Sequence, residues 1–190
     1  MTAALLILAP MPSSAQADEA TESATAAPAA ARMAPSGDGT LVIDPRARLA
    51  WARCVEGMHW NGKTCAGRPQ LLTYKQAQAL VKERNQAEGA HWRLPRVNEL
   101  RRLVNRSANP PSVDQALFPA APTDWHWTGT SSVNAGAVNP YAYGNVMRGG
   151  AGGSTLAMQQ GWAVDMTTGN ASGEASRTER LVVRLVRPAP

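Results

Sequence analysis

The chain has 190 residues, of which 44% are hydrophobic and 17% charged, and it carries a formal net charge of +5. This length fits one domain with a tail and excludes two large domains, while 16 Gly and 14 Pro indicate many turns. No apolar run reaches the roughly 20 residues that cross a bilayer as a helix, so we predict no transmembrane segment.

The N-terminus has the composition of an exported protein. Residues 1–17 combine a short apolar stretch with Ala15 and Ala17 in an A-x-A arrangement, which predicts a secretory signal peptide. Residues 18–40 are rich in Ala, Thr, Ser and Pro without a periodic apolar face, which predicts a disordered tether. The alternative for this segment is an Ala-rich helix, which its prolines would interrupt.

The folded domain is then predicted over residues 41–190. This part holds 18 basic side chains against 10 acidic ones, a net of +8, so it is more basic than the whole chain. A positive charge of this size favours anionic partners without identifying one.

The two cysteines fall in one predicted hairpin. Residues 49–54 alternate as a strand does, and the Asn-Gly pair at 61–62 is a strong hairpin signal, since both central residues of such a turn need positive φ. In an exported protein Cys54 and Cys65 would form a disulfide. The alternative is a metal site that also uses His59, although this spacing fits no standard zinc pattern.

Two helices are predicted in the middle of the domain. Thr73 with Gln76 forms a capping-box pattern, so a helix should run from Thr73 to about Gln86 and stop near Gly89. A second, shorter helix is predicted within residues 95–109. Three of its apolar residues should face inward: Leu100, Leu103 and Val104.

Strand patterns return in the last third of the chain, at 125–130, 162–166 and 181–187, with a turn at 168–170. The order of a hairpin, two helices and further strands predicts an α+β fold. Residues 133–158 hold six glycines and no periodic pattern, and so long a loop is usually functional or disordered. Three side chains in this loop are candidate ligand contacts: Tyr141, Tyr143 and Arg148.

A series of short motifs runs along residues 49–187. In chain order they are Trp51-x-Arg53-Cys54, Gly57-x-x-Trp60-x-Gly62-x-x-Cys65, Trp92-Arg93-Leu94-Pro95 with Glu99-Leu100, Phe118-Pro119, Trp127-Thr128, Trp162-x-Val164 and Val183-Arg184-Leu185-Val186-Arg187. In this order and spacing they resemble the Lcl C-terminal domain family, named for the C-terminal domain of a bacterial collagen-like adhesin. The chain departs from that adhesin because it has no collagen-like Gly-x-y array.

The resemblance implies a C-type-lectin-like fold, with two helices, small twisted antiparallel sheets and a long loop region. It also implies an exported bacterial protein that binds rather than catalyses, since the adhesin's domain binds sulfated polysaccharides. The long, Gly-rich loop at 133–158 means that ligand preference need not carry over.

Arginine is concentrated between residues 93 and 106, where Glu99 is the sole acidic residue. Planar guanidinium groups match sulfate, phosphate and carboxylate, so an exposed cluster would bind anionic polymers in a salt-dependent way. The alternative is that Arg93 and Glu99 are structural partners and the other arginines are solvated helix positions. The candidate ligand-binding arginines are Arg96, Arg101, Arg102 and Arg106.

The six tryptophans have two interpretations. Core packing is favoured for those that lie in the family motifs and on apolar strand faces: Trp51, Trp60, Trp92 and Trp162. Trp125 lies beside His126, where it could border the long loop and stack on a sugar ring.

Enzymatic signatures are missing from the sequence. It contains no G-x-S-x-G and no H-E-x-x-H, and its glycines at 149–153 do not follow a strand as a phosphate-binding loop requires. The tripeptides of calcium-dependent lectins are also absent, because Asn139-Pro140 follows Val138. We therefore predict no enzyme, no cofactor, no metal and no nucleic-acid partner.

The resulting hypothesis is an exported, periplasmic or surface-located binding module for anionic polysaccharide or another envelope polymer. The alternative is a periplasmic protein-interaction subunit or inhibitor that docks an envelope protein through residues 133–158.

Overall fold

Two helices and several short antiparallel sheets make up the described part of this protein. The computed structural model describes residues 32–130 and 160–190. In these ranges the elements are β1 (Ala34–Pro35), β2 (Leu41–Asp44), β3 (Leu49–Ala52), β4 (Met58–Trp60), β5 (Cys65–Gly67), α1 (Tyr74–Glu88), α2 (Val97–Arg101), β6 (Val104–Asn105), β7 (Ser112–Val113), β8 (Trp125–Trp127), β9 (Gln160–Asp165), β10 (Ala171–Ser176) and β11 (Val186–Pro188). The predicted α+β class with two helices is confirmed over these residues.

One sheet joins the two ends of the domain. Its strand order is β1-β2-β3-β11, and every pair is antiparallel. Val186 of β11 lies opposite Trp51 of β3, and every residue of β3 is buried. A strand that is buried on both faces needs packing from both sides, so β3 lies at the centre of the fold.

A second sheet has the order β10-β9-β8. Strands β9 and β10 are joined by a turn in which Gly169 has φ of 72° and donates its backbone N–H to the carbonyl of Asp165. The predicted turn at 168–170 is confirmed. Two further pairs, β4-β5 and β6-β7, complete the described sheets.

Strand β1 lies inside the segment that we expected to be a tether. Ala34 pairs with Ile43, and the N–H of Ser36 donates to the carbonyl of Leu41 at 2.9 Å. Residues 34–35 of the segment 18–40 therefore form an edge strand on the main sheet, so the prediction of a disordered tether is wrong for this part. Residues 1–31, with the predicted signal peptide, lie outside the described ranges.

Helix α1 begins and ends at the predicted signals. The Thr73 hydroxyl accepts from the N–H of Gln76, and the Gln76 side chain accepts from the N–H of Thr73 at 2.9 Å, which completes the capping box. At the other end Gly89 adopts a left-handed φ of 61° and donates to the carbonyl of Asn85. Two reciprocal bonds and one glycine cap thus satisfy backbone groups that the helix leaves free.

The predicted hairpin forms, but with a longer turn. Strands β4 and β5 pair through Trp60 and Cys65, so four residues connect them rather than two. Gly62 takes the positive φ of 93°, while the Asn61 side chain accepts from the backbone N–H groups of Lys63 and Thr64. An Asx turn therefore replaces the type I′ turn with two positive φ values.

Cys54 and Cys65 form the predicted disulfide, with an S–S distance of 2.07 Å. The bond links the end of β3 to the start of β5 and so attaches the hairpin to the main sheet. Because both sulfurs are in this bond, they are not available as ligands in the alternative metal site with His59.

The second helix is shorter than its apolar pattern suggested. Helix α2 ends at Arg101, and Val104 belongs to strand β6, where it pairs with Val113 of β7. Leu100, Leu103 and Val104 are all buried as predicted, although the last lies on a strand. Pairing of β6 with β7 therefore replaces the further helical turn that the apolar pattern predicts.

Residues 181–187 are likewise less regular than a single strand. Leu181 bridges Leu72, Val182 bridges His126 in parallel, and only the end of the segment joins β11. The segment therefore crosses between sheets and fills the space between them. Residues 182–186 are fully buried, Arg184 included.

The tryptophans divide between core and surface. Trp51, Trp92 and Trp127 are at most 3% exposed. Trp60 and Trp162 are half-buried rather than fully internal, and the guanidinium of Arg53 stacks on Trp60 at 3.8 Å. Core packing is thus confirmed for Trp51 and Trp92, whereas Trp60 and Trp162 cover the core from its margin.

Candidate functional site

Helix α2 carries the arginine-rich segment and is fixed by one ion pair. The two Nη atoms of Arg93 donate to the two carboxylate oxygens of Glu99, each at 2.8 Å. Glu99 also accepts from the backbone N–H of Arg96 at 2.7 Å. Partial burial acts to raise the pKa of Glu99, but the bonds from Arg93 and Arg96 outweigh it and lower the pKa. Arg93 and Glu99 are therefore structural partners.

Two arginines, one at the end of α2 and one after β6, donate to a single backbone oxygen. Arg101 Nε donates to the carbonyl of Gly169 at 3.1 Å, and Arg106 Nη2 donates to the same oxygen at 2.5 Å. We call Arg101 and Arg106 the arginine pair. One neutral acceptor holds both guanidinium groups, so most of their N–H donors remain for other partners.

The turn that supplies this oxygen requires glycine. Gly169 is in the left-handed region, and a Cβ atom placed there would lie 3.0 Å from Arg106 Nε. A larger residue would therefore strain the turn and displace the guanidinium. Gly169 thus positions the arginine pair, and sequence analysis had identified it only as part of a turn.

The arginine pair has little negative charge around it. Within residues 32–130 and 160–190 no carboxylate lies within 4.0 Å of Arg101 or Arg106. The nearest acidic residue along the turn, Asp165, accepts from Thr167 and Thr168 instead. Burial acts to raise the pKa of Asp165, but these hydrogen bonds prevail and lower it. Two positive charges are thus held together without a counter-ion from the described chain.

Arg102 is partly engaged elsewhere. Its Nη2 lies 3.4 Å from Asp44 Oδ2, and its side chain is 52% exposed while that of Asp44 is 6% exposed. Asp44 is already occupied, because its other oxygen accepts from the N–H groups of Arg46 and Ala47. This contact uses one Nη atom of a half-exposed side chain, so the other guanidinium donors of Arg102 remain available to a ligand.

Arg96 lies at the opposite end of α2 from the arginine pair. It is exposed and lines a groove of about 460 Å³ between α1 and the segment before α2. The described lining of this groove comprises Tyr74, Gln78, Val81, Arg93, Leu94, Arg96 and Gly129. Of the four candidate arginines, Arg96 and Arg102 cap α2, Arg101 is its last residue and Arg106 follows β6. Among the described residues, Arg101 and Arg106 donate to the same atom.

Trp125 is separate from the arginines. This residue is 39% exposed and lines a different groove, of about 240 Å³, on the sheet β10-β9-β8. Glu174 and Glu179 line the same groove. The other candidate residues, Tyr141, Tyr143 and Arg148, lie outside the described ranges, as does the whole of 133–158.

A buried polar centre lies beneath these surfaces and was not predicted. Arg184 is 2% exposed, and its Nη1 donates to the carbonyls of Ala52 and Arg53 at 2.7 and 2.6 Å. Its guanidinium also stacks on the ring of Phe118 at 4.7 Å. Burial lowers the pKa of Arg184 to about 9, so it stays charged at neutral pH. The sequence feature that points to this buried centre is Arg184, an arginine inside the apolar run at 181–187.

His126 belongs to the same centre. It is 1% exposed, and its Nδ1 faces the carbonyl of Asp124 at 2.9 Å, so that nitrogen carries the hydrogen. Burial and the nearby charge of Arg184 lower the pKa of His126 to about 3. The ring is therefore neutral under ordinary conditions and serves the packing of β8 against the segment at 182.

The chain also matches a known protein family over most of its length. A comparison with protein families matches residues 40–187 to the Lcl C-terminal domain. The chain belongs to the Lcl C-terminal domain family. No curated protein and no solved structure matched this Lcl C-terminal domain.

Neither a metal-ligand cluster nor a membrane-spanning helix is found in the described part of this Lcl C-terminal domain. Within residues 32–130 and 160–190 no three His, Cys, Asp or Glu side chains are placed to hold a metal ion. None of the helices described is long and apolar enough to cross a membrane. Among the described residues, the arginine pair and the grooves at Arg96 and Trp125 hold the candidate ligand-binding side chains.

Proposed function

We propose that this Lcl C-terminal domain is an exported, non-enzymatic binding module for an anionic polysaccharide or a similar envelope polymer. The observation that carries the proposal is the shared bond of Arg101 and Arg106 to the carbonyl of Gly169. This bond fixes two guanidinium groups side by side before any ligand arrives. A pre-positioned pair loses less side-chain entropy on binding than two free arginines would.

The chemistry of the arginine pair suits sulfate or carboxylate groups. A guanidinium presents its donors in a planar fork, and bonds to an ionised oxygen are about twice as strong as neutral ones. Because the carbonyl of Gly169 takes one donor from each arginine, the remaining donors can receive the oxygens of one anionic group. Arg102, which uses one Nη atom on Asp44, is the adjacent cation that a second anionic group would reach.

The charge of the domain supports an extended polymer rather than a single small anion. Residues 41–190 hold 18 basic and 10 acidic side chains, and residues 131–159 contain no acidic residue at all. Arg96 continues the positive charge to the other end of α2. A polymer with regularly spaced anionic groups would contact several of these arginines at once, which raises affinity by avidity.

Export and a C-type-lectin-like fold are part of the same proposal. The disulfide between Cys54 and Cys65 supports an oxidising compartment, and residues 1–17 have the pattern of a signal peptide. Two helices, small antiparallel sheets and a long segment before β9 support the lectin-like fold. Mass spectrometry of the protein recovered from periplasm and medium tests export, since cleavage after Ala17 removes the first 17 residues.

The test of ligand class is an array of polysaccharides that differ only in their anionic groups. We expect sulfated or uronate-rich chains to bind and their neutral counterparts to fail, with affinity falling steeply as salt rises because counter-ions are released on binding. A chelator should leave binding unchanged. Equal binding to sulfated and desulfated forms of one polymer would contradict the proposal, and chelator sensitivity would show that a metal takes part.

The alternative is a protein-interaction subunit. In the version stated from the sequence, the subunit docks an envelope protein through residues 133–158. These residues lie outside the described ranges, so this version stays a prediction. The groove at Trp125 favours a protein contact at a different place.

A further inference from the structure

The groove at Trp125 lies on the opposite face of its sheet from the arginine pair. Successive residues of a strand point to opposite faces, and paired residues share one. Val164 of β9 packs in one core cluster with Leu100 of α2, whereas its neighbour Ala163 packs in the other cluster with Trp127. Ala163 also lines the Trp125 groove, so this groove lies on the face away from α2.

The floor and walls of this groove have contrasting chemistry. The floor is formed by small residues, Ala163, Ser172 and Ala175, which leave the indole of Trp125 standing at one side. Trp125 is 39% exposed, whereas three other tryptophans are at most 3% exposed. An aromatic ring beside a shallow floor is a surface on which a flat group can stack.

The other side of the groove is negatively charged. Glu174 and Glu179 line it, and within the described ranges no cationic side chain lies within 4.0 Å of either carboxylate. One oxygen of Glu179 accepts from the backbone N–H of Ser176 at 3.0 Å, which fixes the side chain and leaves its second oxygen available. The neighbouring cation Arg177 is directed elsewhere, because its Nε donates to the carbonyl of Gln160.

We propose that the groove formed by Trp125, Glu174 and Glu179 binds a cationic side chain, an arginine or lysine, presented by a protein partner. A guanidinium would stack on the indole by cation–π attraction while its edge donates to the two carboxylates. The volume of about 240 Å³ suits one long side chain rather than a folded segment. Binding at this site is independent of the arginine pair, which lies on the other face of the sheet.

Charge decides between this occupant and the alternatives. An anionic sugar would be repelled by both glutamates, so the polymer of the proposed function does not fit here. A neutral sugar could stack on Trp125, but it would leave both carboxylates without a counter-charge. A cation satisfies the ring and both carboxylates together, and the domain would then contact an anionic polymer on one face and a basic protein on the other.

The experiment uses small probes and the full chain. N-acetyl-arginine amide, its neutral isostere N-acetyl-citrulline amide and methyl glucoside are titrated against ¹⁵N-labelled protein while the Trp125 indole N–H signal is followed. We expect saturable shifts with the arginine probe and an affinity lower by about tenfold for the citrulline probe, since the cation–π and charge contributions are lost. The indole signal is assigned by Trp125→Phe.

Conservative variants test the role of the two glutamates without removing groups that the fold needs. Glu174→Gln with Glu179→Gln preserves size and hydrogen-bonding oxygens, and should weaken the arginine probe on the order of tenfold while leaving binding to sulfated polymer unchanged. Glu83→Gln, an exposed carboxylate on α1, is the matched control and should have no effect. Equal affinity for arginine and citrulline probes, or glucoside binding that is insensitive to the glutamates, would overturn the proposal. Concentration-dependent dimers abolished by the double variant would assign the groove to a second copy and likewise overturn it.

Discussion

Arg101 and Arg106 donate to the same backbone oxygen, that of Gly169, across sequence separations of 68 and 63 residues. The turn between β9 and β10 therefore determines where both guanidinium groups point. Anything that moves this turn should alter ligand binding without touching an arginine.

Gly169→Ala tests that relationship. A Cβ at this position adds left-handed strain and lies 3.0 Å from Arg106 Nε, so we expect about 1–2 kcal/mol of destabilisation together with weaker polymer binding. Gly62→Ala is the matched control, since Gly62 also has positive φ but its Cβ would meet nothing within 4 Å. Urea unfolding and polymer titration of both variants measure the two effects. If Gly62→Ala weakened binding as much as Gly169→Ala, the positioning role of Gly169 would be wrong.

Acidification should destabilise the domain through His126. Its folded pKa of about 3 lies below the ordinary value of 6.5, so the unfolded chain takes up a proton that the folded chain refuses. The free energy of unfolding should therefore be unaffected above pH 6.5 and fall by about 1.4 kcal/mol per pH unit below it. Urea unfolding between pH 7.5 and about 5 measures this slope.

This pH window separates His126 from the carboxylates. Glu99 and Asp165, whose folded pKa values are lowered, lose their contribution only below their ordinary values of 4.5 and 3.8. Glu56, whose pKa is raised by burial, acts in the opposite direction near the lower end of the window. His126→Asn keeps a donor for the carbonyl of Asp124 and should flatten the slope. A flat profile in the unsubstituted protein would contradict the buried neutral ring.

Arg184→Leu should destabilise the domain without affecting ligand contacts. The substitution leaves the buried carbonyls of Ala52 and Arg53 without their donor, which destabilises the fold, and removes a desolvated charge, which stabilises it. We expect the net loss in the free energy of unfolding to be about 3 kcal/mol. Arg180→Leu, an exposed neighbour, is the control and should change stability by less than about 0.5 kcal/mol. Chemical unfolding compares the two. Equal stability of both variants would show that Arg184 is dispensable to the core.

The disulfide should contribute substantially to stability. Its cysteines are separated by 11 residues, and closing a loop of that length restricts the unfolded chain by about 3 kcal/mol. Cys54→Ser with Cys65→Ser should therefore lower the free energy of unfolding by about that amount, and reduction of the unsubstituted protein should reproduce the loss. Two titratable thiols in protein purified without reductant would refute the disulfide.

Local signals in the sequence account for much of the fold. The capping box at Thr73, the glycine stop at Gly89 and the Asn-Gly hairpin act within a few residues, and the structure has each of them. Val104 shows where such signals fail: its helical spacing is real, but pairing with Val113 places it on a strand. That choice depends on a partner strand that a local pattern does not contain.

The candidate site could be predicted only in part from the sequence, because it too depends on long-range contacts. Clustering in the sequence identified Arg101 and Arg106 as candidates, yet their shared acceptor lies more than 60 residues away. The sequence equally could not show that Glu174 and Glu179 share a groove with Trp125, because they come from separate strands and loops. Long-range contacts of this kind decide which charged residues are paired and which are free.

The most direct test of the central claim is the affinity of the arginine-pair variant for a sulfated oligosaccharide. Arg101→Gln with Arg106→Gln keeps donors for the carbonyl of Gly169 but removes both charges, and Lys75→Gln with Lys82→Gln removes two exposed charges on α1 instead. With a fluorescent heparin oligosaccharide at fixed salt, we expect the arginine variant to bind on the order of tenfold more weakly and with a shallower salt dependence, and the lysine variant to stay within about twofold of the unsubstituted protein. Equal losses in the two variants, or no loss in either, would contradict the account.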